Sequence, residues 1–183
     1  MAATTLEDAV RVGVKLYADD PERVDPARFI PLFHGWIQRG EVDGLPIDVA
    51  DYAHVHEGPG VMLIGHEADH AIDLGEGRPG ILYQRKREPQ GTLEERIGAA
   101  LAAVDRAADQ IEADPDAGGV GFGRDEILVR LLDRRSAPND EATAEALRPA
   151  VEAAVAAARP GRTATIERVD DPTGPLALRV RLS

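Results

Sequence analysis

The segment Gly65-His66-Glu67-Ala68-Asp69-His70 sets two imidazoles four residues apart, with a carboxylate next to the first. This is the H-E-x-x-H arrangement with which metallopeptidases hold a zinc ion and activate its bound water. The chemistry carries a backbone requirement. On a helix this spacing puts both rings on one side, where they share the ion and Glu67 serves as the general base. Two further histidines, His54 and His56, precede the Glu57-Gly58-Pro59-Gly60 turn that leads to His66 and His70. In an antiparallel hairpin, His66, His70 and one of His54 or His56 can converge on a divalent metal such as zinc, with Asp51, Glu57 or Glu67 in reach. The plainer alternative makes all four surface or hydrogen-bonded histidines beside a polar loop.

A second chemistry is anion binding. Arg85-Lys86-Arg87 and Arg134-Arg135 each precede a helix start, at Thr92 and Asn139. If the two junctions meet in space, Arg85, Arg87, Arg134 and Arg135 can hold a phosphate or carboxylate beside helix N-termini; otherwise they are separate solvated clusters. Other chemistries fall away. The chain has no cysteine, which removes disulfides, thiol catalysis and cysteine-based metal sites. Its only serines are Ser136 and Ser183, with no G-x-S-x-G around either. "GGVGFG" lacks the dinucleotide-binding spacing and leads into an alternating strand pattern rather than a helix.

Elements must position these residues. "VRVGVKLY" alternates Val10, Val12, Val14 and Leu16 against Arg11, Gly13, Lys15 and Tyr17, the pattern of a half-buried strand. Asp25 and Pro26 then start a helix with Phe29, Phe33, Trp36 and Ile37 at helical spacing up to Gly40. "PIDVADY", "VMLIGHEADHAIDL" and "ILYQRK" read as three extended segments separated by turn chemistry. Thr92 opens a long helix through a capping box with Glu95, and its buried stripe runs from Leu93 through Ile97, Leu101 and Val104 to Ile111. "VGFGRDEILVRLLD" reads as a hairpin, Asn139 as the cap of a third helix bent at Pro149, and "TATIERV" with "LALRVRL" as a closing hairpin.

The expected fold is therefore α+β, a mixed, largely antiparallel sheet covered by about three helices. A single domain spans residues 1–183, and its strand–helix–hairpin order allows two loosely similar halves, 1–91 and 92–183.

Within this frame the motif reads better as a strand than as a helix. Pleated, His66, Ala68, His70, Ile72 and Leu74 point one way and Glu67, Asp69, Ala71 and Asp73 the other. Gly65 weakens a helix interior by about 1 kcal/mol relative to alanine. The match to zinc metallopeptidases is also incomplete. Asp69 stands where they have an uncharged residue, Asp73 stands where the extended motif has glycine, and no histidine follows His70.

The run "IDVADYAHVHEGPGVMLIGHE", with "FIPLFHGWIQ" before it and "GILYQRK" after, resembles a family of small uncharacterised bacterial proteins, a likeness that implies no fold or activity. Against 21 basic residues stand 33 acidic ones, a net charge of −12 that disfavours nucleic acid as a partner. No segment has the length or apolarity of a membrane span or the layout of a leader. The expectation is a cytoplasmic, non-catalytic protein without a cofactor, forming a homo-oligomer or binding a small anionic ligand. Phe29, Phe33, Trp36 and Tyr52 are candidates for a dimer contact or for the core. The alternative is a histidine/carboxylate metal-binding hydrolase built from residues 54–73.

Overall fold

The computed structural model describes residues 6–87, 90–171 and 173–183. Strand β1 (Val12–Ala18) buries Val12, Val14 and Leu16 on one face, and Lys15 and Tyr17 on the other are buried as well. It therefore runs through the middle of the sheet. Helix α1 (Pro26–Arg39) begins where the Asp25 carboxylate accepts the Ala27 amide at 3.1 Å. It ends at Gly40, whose φ of 66° suits a left-handed cap. Phe29, Phe33 and Trp36 on its inner side are core residues, not a dimer contact; Tyr52 is 40% exposed.

A meander follows: β2 (Pro46–Tyr52), β3 (Gly60–Gly65), β4 (Ala68–Asp73) and β5 (Gly80–Arg85). Helix α2 (Leu93–Ala113) starts with the Thr92–Glu95 capping box and buries the expected stripe. Then come β6 (Phe122–Leu131), α3 (Glu141–Ala158), β7 (Ala164–Arg168) and β8 (Leu176–Leu182). One sheet takes all eight strands in the order β2-β3-β4-β5-β1-β6-β8-β7. The fold is α+β, a sheet packed by three helices. Each observed pairing is antiparallel. The mixed character expected of the sheet is absent among these pairings because β5 and β6 run the same way but have β1 between them. The last strand of each helix-containing half returns to the first, β5 onto β1 and β8 onto β6.

Three local expectations change. "VMLIGHEADHAIDL" is not one strand but two, folded back at His66-Glu67. A Cβ on Gly65 would lie 2.4 Å from the Ala68 carbonyl oxygen, so the reversal demands glycine there. The Asp69 carboxylate then holds the Gly65 amide at 3.2 Å and Lys86 at 2.7 Å. "VGFGRDEILVRLLD" is a single strand, β6, because the left-handed glycines Gly118 and Gly119 make their turn before it. The cap of α3 is Asp140, whose carboxylate accepts the Thr143 amide at 2.8 Å. Asn139 instead donates to the carbonyls of Val169, Asp171 and Pro175.

One face of the sheet carries the apolar core with all three helices. The other is closed by ion pairs. Fully buried Lys15 reaches Asp73 at 2.6 Å and the Gly75 carbonyl at 3.0 Å. Burial lowers the lysine's pKa, and Asp73 opposes that shift. Glu76, held at a φ of 65°, accepts from Arg130 at 3.2 Å and Arg179 at 2.6 Å. The Arg78 guanidinium stacks 3.7 Å from the centre of the Tyr17 ring. Among the described residues, no helix is long and apolar enough to cross a membrane.

Candidate functional site

The β3–β4 reversal decides the fate of the motif. His66 lies in the exposed turn, whereas His70 is set in β4 with its register partners Leu63 and Tyr83 on the helix-covered face. No helix passes through residues 61–74, so the geometry a zinc peptidase needs is not formed. His54 and His56 occupy the exposed loop at the opposite end of β3 from His66. A six-residue strand at about 3.3 Å per residue puts roughly 17 Å between those ends. Among the described residues, no group of three or more His, Asp or Glu side chains is placed to share an ion.

Glu67 is a clamp at this turn. Its carboxylate accepts the Leu45 amide at 3.2 Å, which holds its pKa below the ordinary carboxylate value. The contact requires Gly44 (φ 83°), since a Cβ there would sit 2.7 Å from Glu67 Oε2. The clamp ties the loop after α1 to the β3–β4 turn and so shapes the wall of a cavity.

That cavity measures about 230 Å³ and lies between the end of α1, the β4–β5 ladder and α2. Its inner wall holds Trp36, His70 and Tyr83, its α2 side Ala103 and Ala107, and its rim the Asp43–Arg106 ion pair at 3.1 Å. The His70 ring meets the Tyr83 ring edge-on, with centroids 5.2 Å apart. Trp36 is 2% exposed and packs on Phe33 at 5.2 Å. Both Trp36 Nε1 and His70 Nδ1 are buried without a hydrogen-bond partner in the protein. Leaving such a group unpaired costs about 1–3 kcal/mol, and both belong to residues that line this cavity. Burial drives the pKa of His70 from 6.5 down to about 4, against the pull of Asp69 and Asp43. At neutral pH the ring is uncharged and presents one donor and one acceptor nitrogen.

A second cavity of about 250 Å³ adjoins the first, lined by Val10, Val12, Ala99 and Ala100 with Gln90 and Arg96. Tyr83 and Arg85 border both cavities. The hollow follows from sequence: where α2 crosses β5 and β1 it presents Ala99, Ala100, Ala103 and Ala107 rather than larger side chains. Arg96 is tied up, donating to the Ala9 carbonyl and to the carbonyl and carboxylate of Glu7. Arg85 is not. Its Nε donates to the Arg87 carbonyl at 2.9 Å, and it forms no ion pair among the described residues.

The arginine junctions thus separate. The ends of β5 and β6 lie at the same end of the sheet, flanking β1, but the Arg11–Asp133 pair at 2.8 Å stands there as well. Arg134 turns to the carbonyls of Thr173 and Gly174. Arg87 and Arg135 are exposed. Of the four, only Arg85 reaches a cavity. Sequence reasoning missed Trp36 and Tyr83 as cavity residues, since an aromatic at helical spacing or in an alternating strand signals core whether or not space remains beside it. Set against known proteins, the chain matches no family and no characterised sequence.

Proposed function

We propose that this is a non-catalytic, small-ligand-binding protein whose site is the Trp36–His70 cavity. The observation that carries the proposal is the cavity itself, lined by Trp36 and His70, two rings whose Nε1 and Nδ1 are buried with no protein partner. Ligand entry that turns the two rings toward the cavity gives both nitrogens a partner and removes both penalties. At about 230 Å³ the cavity sits below the range typical of drug-sized ligands, so the ligand is small. Hydrolysis has no support from the geometry, because Glu67 is spent on the Leu45 amide and His66 lies in the exposed turn, outside the strand that carries His70.

The test is a thermal-shift screen with small polar amides, acids and alcohols. Ligands that bind only the folded state raise the melting temperature by mass action. At least one class raises it in the wild type, and the gain disappears in His70→Phe. A screen in which no compound distinguishes wild type from His70→Phe rejects the proposal.

Self-association is a second reading, and one observation favours it. Among the described residues, the large apolar side chains that stand exposed, Leu45 and Ile47 at 61%, Tyr52 at 40% and Val55 at 42%, all lie on or beside the edge strand β2. Such a patch on an edge fits a contact between two copies. The exposed side chains of this patch are the groups such a contact would bury.

A further inference from the structure

We propose that Arg130 and Arg179, on the helix-free face of the sheet, form a phosphate-binding site that the chain fills with its own Glu76 when no phosphate is bound. The site lies on the opposite face from the Trp36–His70 cavity and is independent of it. It is defined by the anion already in it. Arg130 lies in β6 and Arg179 in β8, and the register sets Ala177 opposite Arg130 and Leu128 opposite Arg179, so the two arginines are diagonal neighbours on one face. They converge on a single carboxylate. Arg130 Nη2 donates to Glu76 Oε1 at 3.2 Å and Arg179 Nη2 to Oε2 at 2.6 Å. The Tyr17 hydroxyl stands 3.5 and 3.4 Å from the same two oxygens. Burial pushes the Tyr17 pKa up, so the phenol keeps its proton and serves as a third donor. Two guanidinium groups and a hydroxyl around one anion make a donor set suited to an oxyanion.

Glu76 is placed so that it can leave. It stands between Gly75 and Gly77 in the β4–β5 connection, with a left-handed backbone at φ 65° and ψ 12°. Glycine takes that conformation freely, whereas a glutamate is strained there and is held by its side chain's bonds. The rest of the turn is tied down without it. The Gly75 carbonyl accepts from Lys15 Nζ at 3.0 Å and from the Arg78 amide at 3.2 Å, and the Arg78 guanidinium lies on the Tyr17 ring. Rotation of the Glu76 side chain alone therefore opens the site, with no movement of the core. Solvent is at hand: Glu76 is exposed, and the Arg130 and Arg179 side chains are 17% and 22% exposed even with the carboxylate in place.

Charge and oxygen count select phosphate over another carboxylate. With Glu76 turned away, Arg78, Arg130 and Arg179 are answered by Glu126, which holds Arg78 at 2.7 Å and lies 3.2 Å from Arg179, while Asp73 is matched by Lys15 at 2.6 Å. Three positive charges then face one negative charge, in a chain whose net charge is −12. A doubly charged phosphate balances that surplus, and a single carboxylate leaves part of it. Glu76 also has two oxygens for three donors, and its contacts to Tyr17 are correspondingly long. Phosphate supplies one oxygen to each donor.

The experiment is a chemical-shift titration of the intact protein with inorganic phosphate at constant ionic strength, following the amides of Gly75 and Gly77. The wild type is expected to show saturable shifts. Glu76→Gln and Glu76→Gly remove the competing charge, and the second also removes the backbone strain; each is expected to bind phosphate roughly tenfold or more tightly than the wild type. Adding Arg179→Gln to either variant is expected to abolish that gain. Acetate, titrated alongside, is expected to bind the variants more weakly than phosphate. O-phosphoserine separates the two sources of the group: affinity above that of inorganic phosphate assigns the site to a phosphate monoester, and equal or lower affinity assigns it to the free ion. A gain that survives Arg179→Gln, or variants that bind phosphate no more tightly than the wild type, overturns the proposal and leaves Glu76 a structural clamp. Acetate binding as tightly as phosphate overturns the ligand class. Absence of saturable shifts in the wild type overturns the site whether or not the variants fold.

Discussion

His70 shows how one side chain links stability to pH in this protein. Burial lowers its pKa in the folded state to about 4, whereas the unfolded chain protonates near 6.5. Between those values the unfolded state binds the proton more readily, so acid draws the equilibrium toward unfolding. Stability supplied by the neutral ring is complete above about pH 6.5 and is lost as pH falls toward about 4. The loss is on the order of 3 kcal/mol. Denaturant titrations at neutral and mildly acidic pH should show it in the wild type and not in His70→Phe, beyond the acid sensitivity that carboxylates give both. At the same scale, Glu67 has changed roles. Its position beside His66 reads as catalysis in the sequence, yet its carboxylate is committed to the Leu45 amide.

At the scale of elements, the buried pair between β1 and β4 gives the sharpest stability contrast. Asp73→Ala leaves Lys15 buried beside a lost partner and should cost about 3–5 kcal/mol. Lys15→Met should also destabilise, but by less, because Asp73 keeps Arg130 at 3.6 Å, and adding it to Asp73→Ala should recover most of the loss. Urea denaturation of the three variants checks this, and a double variant as weak as Asp73→Ala would show the pair is not the cause. Gly65→Ala should also destabilise, because its methyl group would press on the Ala68 carbonyl and reopen the β3–β4 turn.

These elements also show what sequence can and cannot reveal. Caps and periodicity are local, so Asp25, Thr92 with Glu95, and the α2 stripe were legible. The turn at His66-Glu67 was not, because its glycine is required by a carbonyl across the hairpin rather than by a neighbour in sequence. The cavity was invisible for the same reason. Alanines on α2 read as ordinary helix, and only packing against β5 reveals the space they leave. Arg85 was legible as one of four junction arginines but not as the one that borders a cavity.

At the scale of the whole molecule, charge and the β2 edge act against each other. Two copies brought together through Ile47 and Leu45 each carry a net charge of −12. Repulsion weakens the contact at low ionic strength, and added salt, which screens charge over about 10 Å at 0.1 M, strengthens it. Light scattering is expected to show a mass that rises with salt and protein concentration, and Ile47→Asp should hold the chain as a monomer. A wild-type protein that stays monomeric at every salt concentration would remove the self-association proposal.

The ligand cavity itself is tested most directly by filling it. Ala107 lines the first cavity from α2 and is 4% exposed, so Ala107→Leu places methyl groups where a ligand would sit. The measurement is the Trp36 indole resonance during titration with a simple secondary amide, in the wild type and in Ala107→Leu. A saturable shift in the wild type that is absent from a folded Ala107→Leu protein is the predicted result; no shift in the wild type, or the same shift in both proteins, would contradict it.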